Sequence, residues 1–140
     1  MALCTPEQLE DMLWYFAHPY TVRGEDGKSK HAGEHANFLQ ACVKTSELMK
    51  RGFNVYSPIA HTHPVHIIDP QFIKNDEYKL WIRLDNLVIA KTAFSGIILA
   101  PRWETSSGCK GEKEKFEARN LPVLLYEDVI REQPILYDVN

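Results

Sequence analysis

The segment from Ser95 to Glu112 constrains the fold of this chain more than any other. Its first part, residues 95–100, is an apolar run of strand length that stops at Pro101. A polar loop with two serines and a glycine follows, and a helix-forming segment begins at about Ser107. Open α/β sheets bind ligands at the carboxyl ends of their strands, where a strand leads into a helix. The segment therefore predicts both a class of fold and the position of a site.

The rest of the chain alternates similar strands and helices. Apolar runs predict further strands at 12–17, 53–57 and 121–126, and apolar residues three and four apart predict helices at 34–51 and from 75 or 76 to 91. Thr5, Pro6 and Gln8 form the pattern of a short helix start. Residues 21–33 and the histidine- and proline-rich residues 59–72 are predicted to be loops. This alternation predicts βαβ units and a parallel sheet.

Composition limits the class of protein. The chain has 140 residues, of which 44% are hydrophobic and 25% charged, which predicts one domain over residues 1–140 with a tail from about 128. The net charge is −3 with no basic patch, so no nucleic-acid partner is expected. No apolar run reaches membrane-spanning length, no export signal is seen, and the three cysteines are widely spaced. A cytoplasmic protein that does not contact membranes is the expectation.

Glu112 is the first candidate for chemistry. On a helix, Cys109, Glu112 and Phe116 share one face, and the first and last of these are natural core residues. Glu112 is then predicted to lie at the top of the buried side, where a carboxylate loses water and can act as a base or a nucleophile. The alternative is an exposed glutamate that only complements the dipole of the helix.

Asp85 is the second candidate. It lies on the predicted inner stripe of the helix, four residues after Trp81 and three before Val88. A carboxylate among apolar side chains is costly unless it is hydrogen-bonded or used. In a functional role, Asp85 accepts a hydrogen bond from a substrate hydroxyl or acts as a partner of Glu112. In a structural role, it lies at the rim of the helix face and is bonded to a backbone N–H.

Ser106, Ser107 and Gly108 are candidates for binding an anion, because hydroxyl groups and the amides of a helix start both donate hydrogen bonds. The alternative is helix capping by Ser107. His18 and Tyr20 follow the first strand, and we expect them to stack on or bond to a flat ligand, unless they only pack in the turn.

The histidines of residues 59–72 allow two interpretations. His61, His63 and His66 could ligate zinc or manganese in a metal-dependent hydrolase, but no acid or cysteine accompanies them in a known ligand pattern. Histidines that line a pocket are favoured instead, with His61 as the substrate contact. No metal and no cofactor are therefore predicted.

Three features together resemble the nucleoside 2-deoxyribosyltransferase-like superfamily. They are a first strand like Trp14–Ala17 that ends in a polar turn, Asp85 inside the helix before the strand at 95–100, and a Ser-x-Gly-x-x-x-Glu pattern from Ser106 to Glu112 after it. The resemblance runs from about residue 14 to 126. It implies a flavodoxin-like three-layer sandwich with a mostly parallel sheet of four or five strands in the order 2-1-3-4.

The resemblance also implies an activity. Glu112 matches the nucleophile that attacks the anomeric carbon of a ribosyl group, Asp85 matches the aspartate that holds substrate hydroxyls, and Ser106 with Gly108 matches the segment that faces a 5′-phosphate. Transferases of free nucleosides often carry an acid where Ser106 stands, so the serine favours a nucleotide.

The expected function is an N-glycosidase acting on (deoxy)nucleoside 5′-monophosphates, which bind as small-molecule partners of a homo-oligomer. A 2-deoxyribosyltransferase and a non-catalytic nucleotide sensor are the alternatives. His18, Tyr20 and His61 are left as candidates for the general acid.

Overall fold

The computed structural model describes residues 3–21, 31–68 and 77–137 of the chain. Most of the loop predicted at 21–33 and the predicted helix caps Asn75 and Asp76 lie outside the described residues. Within those limits the elements alternate as the sequence predicts. In chain order they are α1 (Pro6–Glu10), β1 (Leu13–Ala17), α2 (His31–Lys50), β2 (Asn54–Tyr56), α3 (Pro58–Ile68), α4 (Glu77–Lys91), β3 (Gly96–Leu99), α5 (Ser107–Ala118), β4 (Val123–Leu125) and α6 (Tyr126–Glu132).

The four strands of the described chain form one sheet in the order β2-β1-β3-β4, and every neighbouring pair is parallel. The predicted order and the α/β class are confirmed. β1 lies between β2 and β3, with Tyr15 in register with both Tyr56 and Ile97. β4 is at an edge, as Pro122 at its start predicts.

Helices cover both faces of the sheet, which gives the three layers of a flavodoxin-like fold. On one face Trp14 and Phe16 of β1 pack in a cluster with buried residues of α1, α2 and α6. On the other face Tyr15 and Ala17 pack in a second cluster with α4 and α5. Successive side chains of a strand point to opposite faces, so a strand covered on both sides is apolar throughout. This explains the uninterrupted apolar run of β1.

Hydrogen bonds join the start of the described chain to its end. The predicted capping box of α1 is present, with Thr5 accepting from the Gln8 amide and donating its own amide to the Gln8 side chain. The buried side chain of Gln133, just after α6, accepts hydrogen bonds from the amides of Leu3 and Cys4 and donates to the Cys4 carbonyl. The segment after the last strand is therefore packed against the molecule.

The loop predicted at residues 59–72 is wrong for residues 59–68, which belong to α3, and residues 69–72 lie outside the described residues. Pro58 occupies the first helical turn, where its missing N–H has no intrahelical partner to lose. Pro64 lies inside the helix and removes one backbone hydrogen bond. The helix forms although this hydrogen bond is lost, and it buries Ile59, His63 and His66 against the rest of the protein.

The inner face predicted for α2 is also wrong. The spacing of three and four residues that predicts this helix places His35, Phe38, Leu39, Cys42, Ser46 and Met49 on one inner side, but Leu39 and Met49 are 51% and 57% exposed. The buried face instead carries Glu34, Asn37, Ala41 and Leu48. Apolar residues occur around much of this helix, so spacing alone does not orient it. A hydrogen bond of 3.0 Å from the Asn37 side chain to the Tyr20 carbonyl links this face to the turn after β1.

Gly96 provides a test of the core. A methyl group added there would lie 2.5 Å from the Trp14 ring and 2.6 Å from the Pro122 carbonyl oxygen, whereas one added at Gly111 would meet nothing within 4 Å. We expect Gly96→Ala to lower the free energy of unfolding by about 1–3 kcal/mol through overpacking. Gly111→Ala should raise it by about 0.5–1 kcal/mol, because alanine favours a helix more than glycine does. Urea unfolding of both variants measures this, and equal effects of the two would contradict the packing described.

Candidate active site

Glu112 is held between α5 and the sheet. Cys109 and Phe116, which share its helical face, are both 1% exposed, so this face is turned inward as predicted. Glu112 itself is only partly buried. Its Oε2 accepts a hydrogen bond from the phenolic O–H of Tyr15 in β1. The carboxyl group is therefore fixed by the core rather than left to solvent.

Tyr15 is a core residue with a polar tip. Its ring is fully buried and lies 5.4 Å from the ring of Phe94 and 5.6 Å from that of Phe116, measured between centroids. A buried phenol needs a hydrogen-bond partner, and Glu112 provides one. Tyr15 is not among the site residues predicted from the sequence, because a tyrosine within an apolar strand gives no sign that its hydroxyl contacts a carboxylate.

Asp85 is in α4, which packs on the same face of the sheet as Tyr15, and its charge acts on both Tyr15 and Glu112. Its Oδ1 is buried and has no hydrogen-bond partner among the described residues. A buried carboxylate oxygen without a donor is costly, which makes it a candidate acceptor for a ligand. The alternative of a rim residue bonded to a backbone N–H is not met by this oxygen within the described part of the chain.

The two carboxyl groups are both made harder to ionise. Burial, with the charge of Asp85 adding to it, raises the pKa of Glu112 to about 8 against the opposing effect of the Tyr15 hydrogen bond. Burial also raises the pKa of Asp85 to about 6, although the Lys115 ammonium opposes the shift. The pKa of Tyr15 is raised as well, first by burial and then by the nearby carboxylates. Two acids with separated pKa values in one water-poor site are the arrangement that acid–base chemistry uses.

The serine and glycine segment lies at the start of α5, as predicted, but Ser106 rather than Ser107 caps the helix. Ser106 Oγ accepts from the Cys109 amide at 3.2 Å. Ser107 and Gly108 are exposed in the first turn, where helix geometry leaves backbone amides without intrahelical acceptors. These amides and the hydroxyl groups remain available to an anion.

His18 is separated from the carboxylates by the sheet. Its ring contacts Phe16, and its Nε2 lies 3.3 Å from Nζ of Lys44 in α2, on the opposite face of β1 from Tyr15. Its Nδ1 lies 2.7 Å from the Pro19 carbonyl oxygen. Burial, together with the Lys44 and Arg102 charges, lowers the pKa of His18 to about 4. A neutral imidazole at neutral pH does not supply a proton readily.

Tyr20 belongs to a different cluster, centred on His63. The Tyr20 hydroxyl lies 2.6 Å from Nδ1 of His63, whose Nε2 lies 3.0 Å from Nδ1 of His35. The Phe38 ring stacks on His63 at 4.6 Å. His61, predicted as the substrate contact, is exposed on α3 and does not face these rings. Within residues 3–21, 31–68 and 77–137, no three His, Cys, Asp or Glu side chains are grouped to hold a metal ion.

Fold and site together define an α/β protein with a parallel sheet and a pair of desolvated carboxyl groups beside its central strand. A family model described as a domain of unknown function, DUF1937, matches residues 13–128. The chain therefore belongs to the DUF1937 family, and the match includes Tyr15, Asp85 and Glu112. A search of curated proteins gives no match. Over the described part of the chain, no helix has the length and apolar character needed to cross a membrane.

The raised pKa of Glu112 makes stability depend on pH. Because the folded pKa is about 8 against an ordinary 4.5, the native state keeps a proton that the unfolded chain loses, and stability falls as pH rises through this range. The side chain introduced by Glu112→Gln is neutral at every pH. We therefore expect the melting temperature of this variant, relative to that of the wild type, to rise between pH 5 and pH 9.

Glu114→Gln is the matched control, because Glu114 is exposed to water on the same helix. Its difference from the wild type should stay constant with pH. Thermal unfolding across the range measures both variants, and a constant difference for Glu112→Gln would show that this carboxyl group is not desolvated.

Proposed function

We propose that this protein cleaves the base–sugar bond of (deoxy)nucleoside 5′-monophosphates, with Glu112 as nucleophile. The observation that carries the proposal is the pair formed by Glu112 and Asp85. Both carboxyl groups are partly buried and have raised pKa values, and one Asp85 oxygen has no donor among the described residues. Glycoside cleavage commonly uses two carboxyl groups in different roles. The resemblance of Asp85 and the Ser106–Glu112 pattern to the deoxyribosyltransferase-like proteins supports the choice of a nucleoside.

The reaction begins with attack of ionised Glu112 on C1′ of the sugar. The C1′–N bond breaks, its electron pair leaves with the base, and the base takes up one proton. Water then attacks C1′ of the glycosyl ester and gives up one proton, which balances the proton taken up by the base. The C1′–O bond to Glu112 breaks, which releases the sugar phosphate and regenerates the carboxylate. A desolvated carboxylate also stabilises the positive charge that develops on the sugar ring.

The neighbours of Glu112 support this role. The Tyr15 O–H bonds to the carboxylate, which favours its ionised form against the effect of burial. Asp85 Oδ1 would accept a hydrogen bond from a sugar hydroxyl. The hydroxyl of Ser106 and the first-turn amides of Ser107 and Gly108 would bind the 5′-phosphate. His18 is a poor general acid, because it is buried, neutral and on the other face of the sheet.

A transferase would follow the same first step and differ only in the acceptor, a second base in place of water. A nucleotide sensor would bind without cleavage. The same proposal includes a homo-oligomer, which rests on the resemblance. It also includes a cytoplasmic location, which rests on composition.

Product analysis tests the activity. The wild type is incubated with ribo- and deoxynucleoside 5′-monophosphates and free nucleosides, with and without an acceptor base, and the released base is measured by liquid chromatography. Glu112→Gln should lower the rate at least about 10³-fold, since it removes the nucleophile. Asp85→Asn should lower it about 10- to 100-fold through lost orientation of the sugar.

Glu114→Gln provides the control and should keep the wild-type rate. Release of base from no substrate, or an unchanged rate for Glu112→Gln, would contradict the proposed enzyme. Binding of nucleotides without cleavage would favour the sensor.

The pH profile of kcat/KM tests the role of Tyr15. Attack needs ionised Glu112, so the rate should rise with pH to a plateau above about 8, the pKa of this carboxyl group. Tyr15→Phe removes the hydrogen bond that favours ionisation and should move the rise to higher pH. An unmoved profile with an active variant would show that the phenol does not act on Glu112.

A further inference from the structure

Arg102 holds a backbone conformation that an arginine rarely adopts. Its φ and ψ are 68° and 18°, in the left-handed region. The Trp103 amide donates to the Ala100 carbonyl at 3.2 Å and closes a turn with Pro101 and Arg102 at its centre. These are the features of a type II turn, in which the third position favours glycine. Strained residues cluster at functional sites, so the side chain of Arg102 invites a functional explanation.

The turn lies beside His18 and Lys44. A hydrogen bond of 2.9 Å from the Ala100 amide to the Ala17 carbonyl aligns the ends of β3 and β1, so the residues that follow each strand are neighbours. The Lys44 ammonium lies 3.3 Å from Nε2 of His18, which is 6% exposed. Because the Pro19 carbonyl can only accept, Nδ1 carries the proton and Nε2 accepts from Lys44. His18 is thus a neutral support that fixes the ammonium.

Among the described residues, the two cations have no carboxylate partner. Neither Lys44 nor Arg102 forms an ion pair with a carboxylate among the described residues. Lys44 contacts His18, which follows β1, and Arg102 follows β3, whose end is aligned with that of β1. The charge of Arg102 adds to burial in lowering the pKa of Lys44. Most exposed cations gain little stability from an ion pair. Two cations held close to a buried imidazole repel each other, and an anion bound between them would remove that repulsion.

The position in the fold also favours a ligand. From β1 the chain passes to β2 on one side, and from β3 it passes to β4 on the other. The crevice between the carboxyl ends of β1 and β3 is therefore the topological switch point of the sheet, where open α/β proteins bind ligands. His18 follows β1 and Arg102 follows β3, so both border this crevice.

We propose that Lys44 and Arg102, with His18 as support, form a binding site for a phosphoryl group at this switch point. Arginine offers paired donors that match phosphate oxygens, and lysine adds a point charge. The site uses residues other than the Ser106–Gly108 segment and does not depend on glycosidase activity. Its phosphoryl group comes either from inorganic phosphate or from an organic phosphate.

Binding of inorganic phosphate to the full chain tests the proposal, by titration calorimetry at pH 7 with sodium chloride at equal ionic strength as the reference. We expect Arg102→Gly and Lys44→Met each to weaken binding at least 10-fold. Arg102→Gly should melt in chloride no lower than the wild type, because glycine suits the turn. If Arg102 had only a structural role, Arg102→Gly would not lose phosphate binding while its melting temperature stayed unchanged.

Arg83→Ala, which removes an exposed arginine of α4, and Glu112→Gln are controls and should bind phosphate as the wild type does. A wild type that binds no phosphate, or an affinity that both cation variants leave unchanged, would overturn the site. Titration with a nucleoside 5′-monophosphate identifies the source and is made in the Glu112→Gln background, in which the proposed cleavage of the nucleotide is removed. A 10-fold loss on Arg102→Gly for the nucleotide as well, with none for the free nucleoside, assigns the phosphoryl group to an organic phosphate.

Discussion

Pairing of β1 with a parallel neighbour on each side is the constraint on which the rest of the structure depends. The strand forms backbone ladders with β2 and β3, and four of its residues are no more than 2% exposed. Its odd and even side chains enter different clusters, so the same five residues hold α2 and α6 on one face and α4 and α5 on the other. A shift of register by one residue would exchange the two faces and separate Tyr15 from Glu112.

The hydroxyl of Tyr15 couples this core to the chemistry of the site. Burial makes ionisation of Glu112 costly, whereas the hydrogen bond from the phenol makes it easier, and burial has the larger effect. Activity and stability consequently depend on the same packing. Loosening the aromatic cluster would admit water and lower the pKa of the carboxyl group, but it would also weaken the contact between α5 and the sheet. The site is therefore sensitive to substitutions in the core that do not touch a ligand.

Sequence reasoning recovered the features that local patterns encode. The apolar runs identified the strands, the Thr5–Gln8 pattern identified α1, and the face of α5 that carries Glu112 followed from the positions of Cys109 and Phe116. Features that depend on tertiary contacts were not recoverable. α3 forms with a proline inside it, and α2 turns polar Glu34 and Asn37 inward, because burial and a bond to the Tyr20 carbonyl outweigh local preference. The approach of Lys44 to His18 joins residues of different elements that no spacing relates.

The short 3-10 turn Trp103–Thr105 gives the protein an optical reporter. Trp103 lies between Arg102 and the Ser106 cap, and its indole ring is covered in part by the Lys113 ammonium at 5.4 Å. Fluorescence of an indole responds to nearby charge and to water. A ligand that occupies either end of this turn would change both around the ring, so the emission of Trp103 would follow occupancy without a label. The other two tryptophans of the chain are Trp14, buried in the core on the α2 face of the sheet, and Trp81 in α4, and a Trp103→Phe variant would separate their emission from that of Trp103.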